Sequence, residues 1–398
     1  MRYVDDIPVC GEVDENAIAQ MQAVRPTVEY AAIMGDGHLG SVVPIGGVVA
    51  SQEMVSLHAV GVDVCCGNKA VRLDIDPNIV RRDIVKIMDE IASQISFGMG
   101  RASGWDLDHE LFESPLWNEI PALQQRTKHS DLKTIAKEQL GTVGGGNHYV
   151  DILIDEQDRV WAANHFGSRG FGNKTATWFM NEAGAADGTH ADHVTLHYRS
   201  DLGEQYLKCY DLISTYAYAG RDAVLDRVVK IIGAKVMDSI HLNHNGVWRE
   251  THNGIDYFVG RKGSTPAWPG SRCFVGGSMG DESVILEGVD TPMARELFYS
   301  TVHGAGRVMS RTAATGRSRY DKKGNRQREP GIKKDEMMSW IGKMGVELRG
   351  SDVDEAPQAY KRLHEVLPGQ GDTIKVLHRL RPIGVAMSPS DLFDPYKD

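Results

Sequence analysis

The sequence predicts a mixed α/β fold, an α+β mixture with several sheets surrounded by helices. Three observations predict it. Short apolar runs of strand length alternate with segments whose apolar residues recur at helical spacing. No internal repeat and no Gly/Ser- or Pro-rich linker divides the chain, so one compact unit is the simplest arrangement. The 398 residues are 41 % apolar and 25 % charged, an ordinary globular balance that argues against disorder.

The elements follow in order. Val60–Ile75 carries short apolar runs around Val62, Val64, Val71 and Leu73, read as strands broken by a Gly-Cys turn. Val80–Ile95 reads as a helix. Tyr149–Ile154 and Val160–Ala163 read as strands joined by the polar turn Asp155–Asp158. Leu202–Met237 reads as two helices broken near Gly220, the second carrying Val224, Val228, Ile231 and Val236 at helical spacing. Strands are expected at Ile255–Gly260, Arg272–Val275 and Ser283–Glu287, helices at Asp335–Glu347 and Glu355–Leu367, and a last strand near Ile374–Val385.

Composition narrows the setting. No apolar run approaches the roughly 18 residues of a membrane span. The segment Met1–Glu15 is acidic and mixed, unlike a secretory signal. Five cysteines, two of them adjacent (Cys65, Cys66), argue against a disulfide framework and for a reducing, cytoplasmic location. The net charge is −10, yet nine basic and two acidic residues fall between Arg311 and Lys334. That basic loop segment in an acidic body either meets phosphates or is a solvated loop.

The chemistry lies in glycine-bearing, polar segments that carry histidine. His148 follows Gly144-Gly145-Gly146-Asn147. His165 precedes Gly167-Ser168-Arg169-Gly170. His244 stands between Asn243 and Asn245. His303 precedes Gly304-Ala305-Gly306-Arg307, and His38 lies in Asp36-Gly37-His38-Leu39-Gly40. One such histidine is most often structural; five in similar surroundings at predicted element ends point to a shared site. Asp63-Val64-Cys65-Cys66-Gly67 adds a carboxylate and a thiol, completing a divalent-metal ligand set in which a thiolate could bridge two ions. Glycine-rich stretches at 141–148, 167–172 and 276–280 would let backbone N–H groups reach anionic oxygens. None ends as a Walker A loop or opens a dinucleotide unit. Arg169, Arg307 and Lys262 are candidate phosphate contacts. On the residues alone this is a metal-dependent enzyme for a phosphate-rich substrate. A two-metal phosphodiesterase or cyclic-phosphate hydrolase, a group-transfer enzyme and a non-catalytic RNA-end-binding protein all remain open.

As a set, these motifs and Gly277-Ser278-Met279-Gly280 resemble, in order and spacing, those of RtcB-type RNA ligases, from about residue 30 to 386. The resemblance implies a single RtcB-like domain over 1–398 around a central metal cleft. It implies the joining of RNA 3′-phosphate or 2′,3′-cyclic phosphate ends to 5′-hydroxyl ends with GTP and two Mn²⁺ ions. His303 would attack the α-phosphorus of GTP, and the resulting GMP would pass to the RNA 3′-phosphate. Asp63, Cys66, His148, His165 and His244 would hold the metals, with Cys66 shared. Asn147, Asp151, Ser278, Ser283, Gly304 and Ala305 would line the guanylate site, Arg169 would contact phosphate or RNA, and Asp36 would support the metals. Some members of that family also use a small activator, archease.

This chain departs from the family pattern at four positions. Cys65 and Asn243 stand where glycine and histidine are usual, and Asp151 replaces a glutamate. Val385-Ala386-Met387-Ser388 replaces a terminal valine-x-lysine-glycine whose lysine touches guanine, with an extra tail over 388–398 that includes Lys397. Nucleotide choice is therefore the property most exposed to change.

Overall fold

A computed structural model of the chain describes all residues except 129, 187, 189, 190, 317, 321–325, 329 and 393–398, and gives backbone alone for the other residues of 318–328. Most of the basic segment's cations and Lys397 thus lie outside the described residues.

Two large sheets carry the architecture. The first runs Arg2–Val4, Ile7–Val9, Tyr30–His38, Ile45–Ser51, Ile255–Lys262, Asn245–His252. The second runs Lys235–Asn243, Gly67–Asp74, Val160–Phe166, Tyr149–Asp155, Ile374–Pro389, Ser283–Gly288, Arg272–Val275, with Glu347–Ser351 paired in parallel to Ile374–Pro389. The second sheet curls until its edges meet. Arg272 donates two hydrogen bonds to Asp238, at 2.7 and 2.8 Å, and Asn68 Nδ2 donates to the Phe274 carbonyl at 3.1 Å. The mixed α/β expectation holds. Among the described residues no helix is long and apolar enough to cross a membrane.

The central strands Tyr149–Asp155 and Val160–Phe166 are buried along their whole length, which is why both read as near-continuous apolar runs. Their turn forms as expected: the Asp155 carboxylate accepts the backbone N–H groups of Gln157 and Arg159, each at 2.9 Å. The helix expected at 80–95 spans Pro77–Gln94. Asp76 caps its N-terminus, and Val80, Ile87, Met88 and Ile91 are buried on one face.

Four expectations need correction. The two helices expected over Leu202–Met237 are one, Asp201–Ile232, ended by Gly233 in the left-handed region; Val236 belongs to a strand. A helical glycine costs only about 1 kcal/mol, and the buried stripe through Ile213, Ala217, Val224 and Val228 outweighs it. The helix expected at 355–367 is a series of short turns, because Arg307 and Tyr360 pair as an antiparallel bridge that holds Tyr360 extended. The helix expected to reach Glu347 stops at Met344, at left-handed Gly345, and Glu347 opens a strand. The break expected within Val60–Ile75 is longer than a turn, with a helical turn at Leu57–Val60 and the strand starting at Gly67. The N-terminal strands Tyr30–His38 and Ile45–Ser51 had no sequence expectation.

A Cβ built on Gly220 would sit 3.4 Å from the Phe166 ring and 3.8 Å from Leu140, ordinary contact distances. Gly220→Ala should therefore stabilise the chain by about 0.5–1 kcal/mol. Gly220→Leu, which must push into Phe166, should destabilise it by about 1–3 kcal/mol. Thermal or urea unfolding of the two variants measures both signs.

Candidate metal centre

Strand register brings the ligand candidates together. Asn243 pairs with Gly67, Gly67 with Phe166, and His165 with Tyr149. Cys66 precedes one strand, His148 precedes another, His165 is next to last in a third and His244 follows a fourth. Four neighbouring strands thus deliver Cys66, His148, His165 and His244 to one rim of the sheet. His244 is also the residue at which the chain leaves the second sheet and enters the first. Asp63 comes from the loop before Gly67, backed by Gly167, where a Cβ would lie 2.2 Å from Asp63 Oδ1.

The side chains converge as two overlapping triads, Asp63/Cys66/His148 and Cys66/His165/His244, each with its candidate donor atoms within 4.8 Å of one another. Cys66 Sγ lies 3.6 Å from His148 Nε2 and 3.2 Å from His165 Nε2. His148 Nε2 is 3.1 Å from Asp63 Oδ2, and the Nε2 atoms of His165 and His244 are 3.2 Å apart. His244 Nδ1 is buried without a hydrogen-bond partner among the described residues. Converging imidazole nitrogens, a thiol and a carboxylate in a dry pocket satisfy one another poorly and a divalent cation well, so the residues fit a two-metal site with Cys66 common to both.

Burial, then the neighbouring imidazoles, hold His165 and His244 well below the ordinary histidine pKa, so both are neutral with a lone pair available. For Asp63, burial pushes upward, but His148 and Arg169 outweigh it and keep the carboxyl ionised. Burial and then the Asp63 charge push the Cys66 thiol well above its ordinary value. Cys65, beside it, is buried against Ser214 and Tyr210 with its pKa pushed up to about 12, an inert thiol.

His303 stands against this cluster, its ring 5.0 Å from that of His244. Its Nδ1–H donates to Asp36 Oδ2 at 2.6 Å, and the same oxygen accepts the backbone N–H of His303 at 2.9 Å and of Gly304 at 3.2 Å. Asp36 is fully buried. With the Nδ1 proton held there, the lone pair of the neutral ring lies on Nε2. Asp36 thus orients His303.

A cleft of about 250 Å³ opens beside His303, lined by Asp63, Cys66, His165 and His244 and by Asn147, Asp151, Ser278, Gly304 and Ala305. Tyr149, Val385 and Met387 also line it, brought to one face because Met387 pairs with Tyr149 and Val385 with Asp151, and the Tyr149 ring stands 5.3 Å from that of His165. Asp151 Oδ1 and Ser278 Oγ are buried without partners among the described residues, and burial alone raises the Asp151 pKa well above the ordinary range. Ser283 accepts the Gly277 N–H at 3.1 Å and so supports the loop that carries Ser278.

The cationic candidates are less free than their motifs imply. Arg169 is buried with Nη1 3.0 Å from His148 Nδ1, in the space left by Gly144, where a Cβ would lie 1.7 Å from Arg169 Nη2. Arg307 donates to Tyr360 Oη at 2.8 Å and to the Asp354 and Met309 carbonyls. Lys262 Nζ donates to the Ser41 carbonyl at 2.6 Å. His38, flagged by its motif, lines the cleft with Nδ1 2.9 Å from the Asp36 carbonyl. Sequence reasoning missed Tyr149, Asn245, Arg311, Glu355 and Tyr360 on the cleft wall. Asn245 donates to the Asp63 carbonyl at 3.1 Å and accepts the Gly263 N–H at 2.7 Å. Glu355 lies 3.4 Å from Arg307 and 3.1 Å from Arg311. Three of them had a local cue, Tyr149 adjoining His148, Asn245 adjoining His244 and Arg311 opening the basic segment, whereas Glu355 and Tyr360 sit outside every motif.

Because the Cys66 thiol is protonated while Asp63 is ionised and His165 and His244 are neutral, cation binding must expel the thiol proton. Mn²⁺ or Zn²⁺ affinity should therefore rise about tenfold per pH unit between pH 6 and 8. Cys66→Ala should lose both the proton release and that slope. Calorimetry in buffers of different ionisation enthalpy counts the protons.

In sequence, the chain is similar to known proteins along most of its length. A family model described as tRNA-splicing ligase RtcB matches residues 17–388. RNA-splicing ligase RtcB of Escherichia coli strain K12 is 30 % identical over 385 residues, spanning 89 % of each chain. The tRNA-splicing ligase RtcB of Thermococcus kodakarensis is 27 % identical over 436 residues, covering 90 % of this chain and 87 % of its own. RNA-splicing ligase RtcB homolog 1 of Entamoeba dispar is 27 % identical over 458 residues, covering 95 % and 82 %.

Proposed function

The chain belongs to the RtcB family, and from that premise we propose that it seals RNA, joining a 3′-phosphate or 2′,3′-cyclic phosphate end to a 5′-hydroxyl end with GTP as the activating nucleotide. The observation that carries the reading is the His303–Asp36 pair beside the two ligand triads.

His303 Nε2 attacks the α-phosphorus of GTP, forming a phosphoramidate as pyrophosphate leaves. Asp36 keeps the Nδ1 proton, so the attacking nitrogen needs no base, and it stabilises the positive charge the ring gains. The RNA 3′-phosphate then takes GMP from His303 and becomes a mixed anhydride. The 5′-hydroxyl attacks that phosphorus and GMP departs. At a cyclic end water first attacks the phosphorus and the P–O2′ bond breaks, leaving a 3′-phosphate and a free 2′-hydroxyl. Manganese ions held by Asp63/Cys66/His148 and Cys66/His165/His244 would supply charge neutralisation on the phosphates. Asn147, Gly304, Ala305 and Ser278 line the same cleft as His303 and would receive the guanylate, with Ser278 Oγ open to a ligand acceptor. Arg169 acts from behind His148 in this arrangement.

Incubation with α-labelled GTP and Mn²⁺ should label the protein, and His303→Ala should abolish labelling; a labelled His303→Ala protein overturns the assignment. Asp36→Asn should slow labelling by about 10²-fold or more, because the orienting acceptor for Nδ1–H is lost. With a cyclic-phosphate RNA, sealed strands support the ligase; an open 3′-phosphate as sole product overturns it in favour of a hydrolase.

The cleft wall at Asp151 and Met387 predicts weakened guanine recognition. Among the described residues no cation is bonded to Asp151, and Met387 offers a thioether in place of an ammonium. Met387→Lys should ionise Asp151 and tighten GTP about tenfold, roughly 1.4 kcal/mol. The GTP concentration dependence of labelling measures it.

A further inference from the structure

Arg221, on the helix Asp201–Ile232, is fully buried. Its hydrogen-bond acceptors are two backbone carbonyls, an amide and an imidazole. Nη1 donates to the Cys65 carbonyl at 2.9 Å and to the Phe166 carbonyl at 2.8 Å. Nη2 donates to Asn243 Oδ1, and Nε to His241 Nε2 at 2.8 Å. Three of these acceptors adjoin the residues of one triad: Cys65 precedes Cys66, Phe166 follows His165 and Asn243 precedes His244. The helix is tied to the same place a second time, because Asn164 Nδ2 donates to the Arg221 carbonyl at 2.9 Å.

A guanidinium is flat and its N–H directions are fixed, so groups that bond it together are fixed relative to one another. The Cys66, His165 and His244 segments come from three different parts of the chain, and one rigid fork spans all three.

We propose that Arg221 is a positioning residue for the Cys66/His165/His244 cation subsite, setting the spacing of its three ligands from behind without touching the ion. This rests on the reading of those residues as metal ligands. Arg221→Met keeps the length and bulk of the side chain and removes the fork. Arg221→Lys keeps the charge but presents no planar fork. Asn243→Ala removes one acceptor and leaves the arginine in place.

The test is binding of Mn²⁺ alone to the full chain, followed by EPR, and of Co²⁺ alone, followed by its thiolate charge-transfer band. Val224→Ala, in the core on the same helix, serves as a control of comparable destabilisation. Arg221→Met should weaken binding of the second ion at least tenfold and shift the Co²⁺ band at saturation. Arg221→Lys should fall between it and the parent. Val224→Ala should lower Tm and leave affinity and band unchanged. Should Arg221→Met not fold, Asn243→Ala carries the test, with weakening of about threefold or more and a shifted band expected. Parent-like Mn²⁺ affinity and Co²⁺ band in the folded arginine variants, or in Asn243→Ala, overturn the proposal. So does equal weakening in Val224→Ala at matched Tm. A parent protein that binds neither ion overturns the metal reading and this proposal with it.

Discussion

The register of four neighbouring antiparallel strands is the constraint from which the site follows. Asn243, Gly67 and Phe166 stand side by side, and Tyr149 stands opposite His165. Because side chains alternate across a sheet, a slip of one residue in any of these pairings would turn its ligand to the opposite face. The buried length of Tyr149–Asp155 and Val160–Phe166 opposes that slip, since it would displace every packed side chain of both strands and strip buried Asp155 and Asn164 of their hydrogen bonds. The packing that stabilises the sheet is thus the packing that sets the geometry of the candidate ligands.

Around that rim, buried charge is managed by direct contact. Asp36 accepts three N–H groups from one stretch, His303 and Gly304. Glu355 is shared between Arg307 and Arg311. Arg221 gives its donors to carbonyl groups that flank the ligands. Each arrangement answers the desolvation cost of a buried ion with several hydrogen bonds, and each fixes a loop that would otherwise be free to move.

What the sequence made legible follows from range. The ligand set stood out because each histidine sits at an element end among small residues, and those neighbours are local. The glycines are where they are because side chains press on them, Arg169 on Gly144 and Asp63 on Gly167. The central strands were legible because burial on both faces leaves a local apolar run. Partnerships were not legible. His303 finds Asp36 across 267 residues, and Arg221 finds Cys65 across 156. Nothing near Arg221 marks it, and Gly220 beside it read as a break in a helix that runs on. Tyr360 was read as helical because its pairing with Arg307 is tertiary.

His303 and the cluster of candidate ligands are held from different sheets. Asp36 belongs to the strand Tyr30–His38 of the first, whereas Cys66, His148 and His165 sit at the rim of the second. The chain crosses between the two at His244. The chemistry proposed for His303 would therefore be a property of the seam. A sub-ångström shear of one layer against the other moves the imidazole at 303 relative to the thiol at 66 while every strand keeps its own ladder. Loss of chemistry on gentle heating would then precede loss of far-ultraviolet circular dichroism, with docking rather than secondary structure as the first casualty.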